Sequence, residues 1–401
     1  MLDGTTSPVK SYNTITKSNK TPNTSAVADF RTDSYSCDPD IIVTALTKGV
    51  RFDGHSGDDS VTRTLENKVA RLCGCQASLF LPTDAMANVI AAQLLRGNSH
   101  GLPGMIFADA RSRIFRKGSA TSSKKVLLPI QPGNNLFLTK EDLEKAVLGR
   151  QSTFGQRSVG DSDAVLISLE AAVGGVIFDF SEMQRISSFA RNRGFKLHLD
   201  GTRIWEVIAA ELRPLESYCS LFDSISLSFS KALGAPFGGM LVGTKEFISE
   251  AERVKIMLGG TLEKTDVISA ICTDVLDKHF CGNPALVKQY LEKSHVYAHE
   301  IAVYWRRECK GTLKYPTETN VAWLDLDEDD TNRLVTLAWQ YGLRIDGARL
   351  MFHHCVSRDA VELVKELLRN FSSQRKSNSK VLLEARAPVH VLPAQTKMIS
   401  Q

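Results

Sequence analysis

The chain has 401 residues, 43% of them hydrophobic and 23% charged, with a formal net charge of +4. That length accommodates two domains of ordinary size, and the composition is ordinary for a globular fold. So weak a charge, with basic pairs as short as Lys124-Lys125 and Arg306-Arg307 and no basic stripe with interleaved aromatics, argues against a nucleic-acid partner. No stretch approaches ~18 consecutive apolar residues. Met1 to Asn23 is rich in Thr, Ser, Lys and Asn, so neither a membrane span nor a signal peptide is expected. Among the eight cysteines the one close pair, Cys73-Gly74-Cys75, has one residue between its thiols, where zinc and redox motifs use two to four. Reduced thiols, no metal site and a cytoplasmic location are therefore expected.

Residues 1–28 are polar and predict a disordered tail. Leu65, Val69 and Leu72 recur at helical spacing and predict a helix over Thr62 to Cys73, followed by a strand over Ala77 to Leu81 that stops at Pro82. The alternation continues with a helix over Met86 to Leu95, strands over Gly104 to Ala108 and Lys125 to Leu128, and a helix over Thr139 to Val147. After a polar loop, Gln151 to Asp163, come a strand over Ala164 to Leu169, a helix over Ser181 to Arg193, and strands over Lys196 to Leu199, Ser224 to Phe229 and Met240 to Gly243. Such a βαβα succession predicts a mostly parallel sheet with helices on both faces. Beyond about residue 280, a helix over Ala285 to Cys309 precedes a strand over Thr319 to Leu326 and then helix, strand and helix. The reading is a large α/β domain over 29–280, a small α+β domain over 281–372, and a tail over 373–401.

The segment from Leu197 to Pro236 carries the chemistry. Asp200 ends an apolar run, and about thirty residues later Lys231 lies between Ser230 and the turn Gly234-Ala235-Pro236. Singly, such an Asp is usually a cap and such a Lys a surface charge. Together, at two strand ends of an α/β fold, they suit pyridoxal 5′-phosphate (PLP). That cofactor needs an amine for its aldehyde and a carboxylate to keep its ring nitrogen protonated.

The strings His198-Leu199-Asp200-Gly201-Thr202-Arg203 and Leu227-Ser228-Phe229-Ser230-Lys231-Ala232-Leu233-Gly234-Ala235-Pro236 resemble those of the threonine aldolases (aromatic amino acid beta-eliminating lyase/threonine aldolase), fold-type-I PLP enzymes. Asp29-Phe30-Arg31-Thr32-Asp33-Ser34, Gly57-Asp58-Asp59-Ser60, Met257-Leu258-Gly259-Gly260 and Arg349-Leu350 with His353 are similar to further family motifs, in the family's order, over about residues 29–370. The resemblance implies an aspartate aminotransferase-like large domain and a PLP-dependent lyase active as a homodimer or homotetramer. It implies that Lys231 is the Schiff-base lysine, Asp200 the partner of the ring nitrogen, and Arg203 a donor toward the cofactor's 3-oxygen. Ser228, Ser230 and Thr83 would serve the phosphate, and Arg111 would lie over the ring. Arg349 and Thr32 would hold the amino-acid carboxylate, Arg349 with a bidentate fork. Residues Arg31 and Glu263 are candidates for reaching into a partner's site.

Departures from the family cluster at two functions. Thr83-Asp84-Ala85 replaces the phosphate-holding Ser-Gly-Thr and sets a carboxylate where a dianion is expected, and Glu263 reverses the charge of a family arginine. Arg111 aligns with the ring-stacking histidine, and Glu170-Ala171-Ala172-Val173 replaces Glu-Asn-Thr-His, losing the imidazole tied to the substrate's β-hydroxyl. Glu170, His353, His198 and His55 are the remaining candidate bases. The expected activity is cleavage or formation of the Cα–Cβ bond of a β-hydroxy-α-amino acid. The alternatives are β-elimination or epimerisation, and a catalytically silent member serving as a scaffold.

Overall fold

The computed structural model describes residues 28–35, 40, 42–44, 60–99, 102–115, 127–153, 165–262 and 265–385. The expected N-terminal tail up to residue 27, together with His55, the Gly57-Asp58-Asp59 segment and Glu263, lies outside them.

Helix α1 (Ser60–Leu72) turns Leu65 and Val69 into the core, as their spacing predicts. Strand β1 (Ala77–Leu81) follows, then α2 (Asp84–Leu95), which begins two residues before the predicted Met86. Thr83 sets that start: its side chain accepts a hydrogen bond from Met86 N at 3.1 Å, satisfying one of the helix's free donors. Next come β2 (Met105–Asp109), β3 (Leu127–Ile130), α3 (Lys140–Thr153), β4 (Val165–Glu170), α4 (Phe180–Asn192) and β5 (Lys196–Gly201). After α5 (Ile204–Glu211), strands β6 (Ser224–Ser228) and β7 (Gly239–Gly243) complete the sheet, and α6 (Lys245–Met257) and α7 (Thr265–His279) follow.

The seven strands lie in the order β1-β7-β6-β5-β4-β2-β3, with β7 alone antiparallel to its neighbours. Strand β3 holds Pro129, which donates no hydrogen bond and is tolerated because β3 is an edge. The sheet's core takes in Ile167, Leu197, Leu199, Ile225, Leu227 and Trp205.

A second core lies against the pair β8 (Val321–Trp323) and β9 (Arg349–Met351), with α9 (Glu328–Gln340) between them in sequence and α10 (Arg358–Ala385) last. The long helix α8 (Pro284–Arg307) belongs to both: Val287 and Leu291 enter the first core, Ala298, Ile301 and Trp305 the second. Ala28 and Phe30 join the second core too, although the chain from residue 29 was expected to open the first. Helix α10 runs on to Ala385, through the start of the stretch read as a tail, because a polar run without apolar period can still be made of good helix formers.

Candidate active site

Side chains alternate along β5, so Leu197 and Leu199 face one side of the sheet and His198 and Asp200 the other. Strand register sets Asp200 beside Glu170 of β4 and Ser226 of β6, and His198 beside Ser168 and Ser224. A polar row thus crosses the sheet near the carboxyl ends of its parallel strands, where α/β folds bind ligands. Asn88 of α2 caps the row: its Oδ1 accepts from Ser226 Oγ at 2.6 Å and from His198 Nε2 at 2.9 Å. His198 Nδ1 lies 2.7 Å from Ser224 Oγ. Burial pushes His198 down to about 4 against the pull of Asp200, so it is a neutral brace between sheet and helix and not a proton carrier.

Asp84 enters this edge as the first residue of α2. Gly239 makes room for it, since a Cβ there would stand 2.5 Å from the Asp84 nitrogen. One carboxylate oxygen accepts from Ala85 N at 2.9 Å. The other lies 3.0 Å from Lys231 Nζ, 3.0 Å from an Arg113 guanidinium nitrogen, and 2.9 Å from the Thr202 hydroxyl. Burial alone would raise the Asp84 pKa, but Lys231 and Arg113 hold it well below the usual carboxylate range. This carboxylate has partners.

The same Arg113 nitrogen lies 3.7 Å from Asp200, and Thr202 bridges the two carboxylates by also hydrogen-bonding Asp200. Arg113's backbone N–H donates to Glu170. Burial and the neighbouring Asp200 raise Glu170 to about 7. Arg203, just past Asp200, forks onto Asp33 with contacts of 2.8 and 3.2 Å, and touches Met351 Sδ at 3.9 Å. Arg203 thereby ties the sheet to the opening segment and to β9, and Ser34 Oγ adds a 3.0 Å bond to the carbonyl of Ser230.

Arg111 is anchored beside this cluster, not within it. Its guanidinium is taken up by Asp109, at 2.9 and 2.6 Å, and by the carbonyls of Asn135 and Leu136, both at 2.7 Å. Its remaining face lies over Tyr315. The arginine that stands between Lys231 and Asp200 is Arg113, two residues on. Asp109 and Arg111 form a local turn pair, two residues apart, as Asp29 and Arg31 also do.

The other expected residues lie around this centre. Ser228 is buried at the end of β6 with its hydroxyl 3.4 Å from that of Ser230. Thr83 spends its side-chain oxygen on capping α2, and Thr32 accepts from Ser34 N at 3.0 Å. Arg349 lies on β9 opposite Trp323, with its guanidinium over that indole. Val173 sits in a short hairpin with Val176, and the turn between them packs on Trp323 and Tyr315, where a Cβ on Gly174 would come within 3.0 Å of the indole. His353 Nε2 donates to the Asp29 carbonyl, 2.8 Å away, and burial lowers its pKa.

The donor set fits PLP: an amine on a strand-end turn, a buried carboxylate with a polar shell, and the N-terminus of a twelve-residue helix beside hydroxyls. The amine and the carboxylate stand at opposite ends of the span Lys231–Asp84–Arg113–Asp200.

Residues 29–329 match the beta-eliminating lyase family. The chain is 34% identical to the aldolase vrtJ of Penicillium aethiopicum over 348 residues, 86% of each chain. It is 33% identical to the low-specificity L-threonine aldolase of Candida albicans, over 85% of this chain and 88% of that one. The fold is also that of a threonine aldolase from Leishmania major, with a TM-score of 0.67 at 17% identity, covering 86% of this chain and 99% of that one. The chain belongs to the beta-eliminating lyase family and is a PLP-dependent lyase.

Proposed function

We propose that the chain cleaves, or in reverse forms, the Cα–Cβ bond of a β-hydroxy-α-amino acid, yielding glycine and an aldehyde. One observation carries the reading: Lys231 and Asp200 come together at neighbouring strand ends, 31 residues apart in sequence, within a single largely buried charge cluster. Bound PLP would supply an electron sink for the broken bond.

In this reading Lys231 provides the amine that holds the cofactor, and Asp200 keeps the ring nitrogen protonated, with the Thr202 hydroxyl orienting its carboxylate. Arg203 braces the wall through Asp33, and Ser228, Ser230, Thr83 and the α2 N-terminus serve the phosphate. Arg349 and Thr32 hold the substrate carboxylate. Glu170, raised to about 7, is the group suited to exchanging a proton near neutral pH. His198 is excluded from that role by its bonds on both ring nitrogens.

The two cores support a division into a cofactor unit over about 29–280 and a smaller unit over about 281–372, with the opening residues Ala28 and Phe30 packed into the second core. Ile256, Met257 and Leu258, consecutive and exposed at the end of α6, support a homo-oligomer, dimer or tetramer, and the cytoplasm is the compartment we assign. No described helix is long and apolar enough to cross a membrane.

The test is direct. Purified protein is incubated with PLP and reduced with borohydride, and the peptides are mapped; a panel of β-hydroxy-α-amino acids is then assayed for glycine and aldehyde. A pyridoxyl adduct at Lys231 with aldehyde release from at least one substrate is expected. An adduct elsewhere, or α-epimerisation without aldehyde, would overturn the reading.

A further inference from the structure

We infer that Arg113 is an exchangeable counter-ion of Asp200, held in place by Asp84, and that it must withdraw when PLP binds. The inference rests on the assignment of Lys231 and Asp200 as the cofactor's two anchors. Four charged groups form a line between those anchors: Lys231 Nζ to Asp84 Oδ2 at 3.0 Å, Asp84 Oδ2 to Arg113 at 3.0 Å, and Arg113 to Asp200 Oδ2 at 3.7 Å. Their side chains are 14%, 8%, 21% and 8% exposed, so water screens them little. One ammonium and one guanidinium face two carboxylates, so their formal charges cancel along the line. Cofactor binding must therefore break pairs whose desolvation cost has already been met.

The two ends of the Asp84–Arg113 pair are not equally mobile. Asp84 is fixed at the start of a twelve-residue helix, with its other oxygen on Ala85 N and its backbone against Gly239. Arg113 begins a three-residue turn just past β2, and its side chain is held in the cleft by Asp84, Asp200 and Thr202. Arg113 is the movable partner. The protonated ring nitrogen of PLP offers Asp200 the same charge that Arg113 supplies, so the exchange conserves the electrostatics of Asp200 while freeing the space. A ligand that binds only the open form has its affinity reduced by the fraction of molecules that are open. The closed pair thus stabilises the cofactor-free protein and weakens PLP binding in the same proportion.

The experiment measures PLP affinity by absorbance titration and the thermal midpoint of the PLP-free protein, for the parent chain, Arg113→Ala, Arg113→Gln and Asp84→Asn. Both arginine variants are expected to bind PLP about tenfold more tightly while their PLP-free forms melt earlier, and Asp84→Asn should shift affinity in the same direction. That opposite movement is the signature, because a group that merely supports the fold or holds the cofactor would lower both quantities. Arg113→Gln keeps the side chain's bulk and guards against misfolding of the alanine variant. Unchanged or weaker PLP binding in both arginine variants, with a borohydride-stable adduct still at Lys231, overturns the counter-ion inference alone. Absence of an adduct at Lys231 in the parent and in every variant overturns the cofactor assignment and this inference together.

Discussion

Two kinds of aspartate–arginine pairing occupy two regions of this molecule. Within the opening segment and at the turn after β2, Asp29 pairs with Arg31 and Asp109 with Arg111, each two residues apart in sequence. In the cleft, Asp33 pairs with Arg203 across 170 residues, and Asp84 with Arg113 across 29. The local pairs form within their own turns, whatever else their arginines go on to touch. The long-range pairs exist only when the sheet, α2 and the opening segment are all in place. Charges that a chain joins across its tertiary structure mark its working site more sharply than charges that satisfy themselves locally.

The largest effect expected from breaking the cleft set is at Lys231. Lys231→Ala should abolish the borohydride-stable pyridoxyl adduct and all lyase turnover while leaving the chain folded, as peptide mapping and circular dichroism would record. Retention of the adduct would remove Lys231 from the cofactor assignment.

Next is Asp33→Ala, which leaves the Arg203 guanidinium without its carboxylate in a setting where Asp33 is buried. Burial works to raise the Asp33 pKa, and Arg203 outweighs it and lowers the value. Removing one partner of such a pair costs about 3–5 kcal/mol, and a denaturant midpoint should report it. A loss no larger than that of a surface pair would erase the distinction between the two regions.

A subtler effect concerns pH. Glu170 has its pKa raised from the ordinary 4.5 to about 7 by burial and by Asp200, so the folded protein holds a proton that the unfolded chain releases. The contribution is fully present below about 4.5 and is lost as pH rises toward about 7. Glu170→Gln should flatten the decline in thermal midpoint across that window, whereas an equal slope in the variant would assign the dependence to another group.

The smallest effect is expected at the local pair. Arg31 is 43% exposed, and its removal should alter stability by under ~1 kcal/mol. A larger loss would show that turn pairs carry more of the fold than their geometry implies.

The sequence by itself determined most of the framework. Apolar and alternating runs located β4, β5, β6 and β7 to within a residue or two, and helical spacing located α1 and α8, because burial writes a pattern into the chain. It also singled out Asp200 and Lys231, since each ends an apolar strand and their residue types answer two needs of one cofactor. It could not decide which of Arg111 and Arg113 reaches the cleft, because two arginines separated by one residue have the same composition and differ only in what the folded chain offers them. Asp109 captures the first within its own turn; Asp84 and Asp200, brought by α2 and β5 from 29 residues before and 87 after, capture the second. Nor could it show that Asp84 is neutralised, that Asp33 answers Arg203, or that Ala28 and Phe30 belong to the second core. Periodicity records how an element meets its own layer. Which charge meets which other depends on how the layers close, and only the tertiary structure decides that.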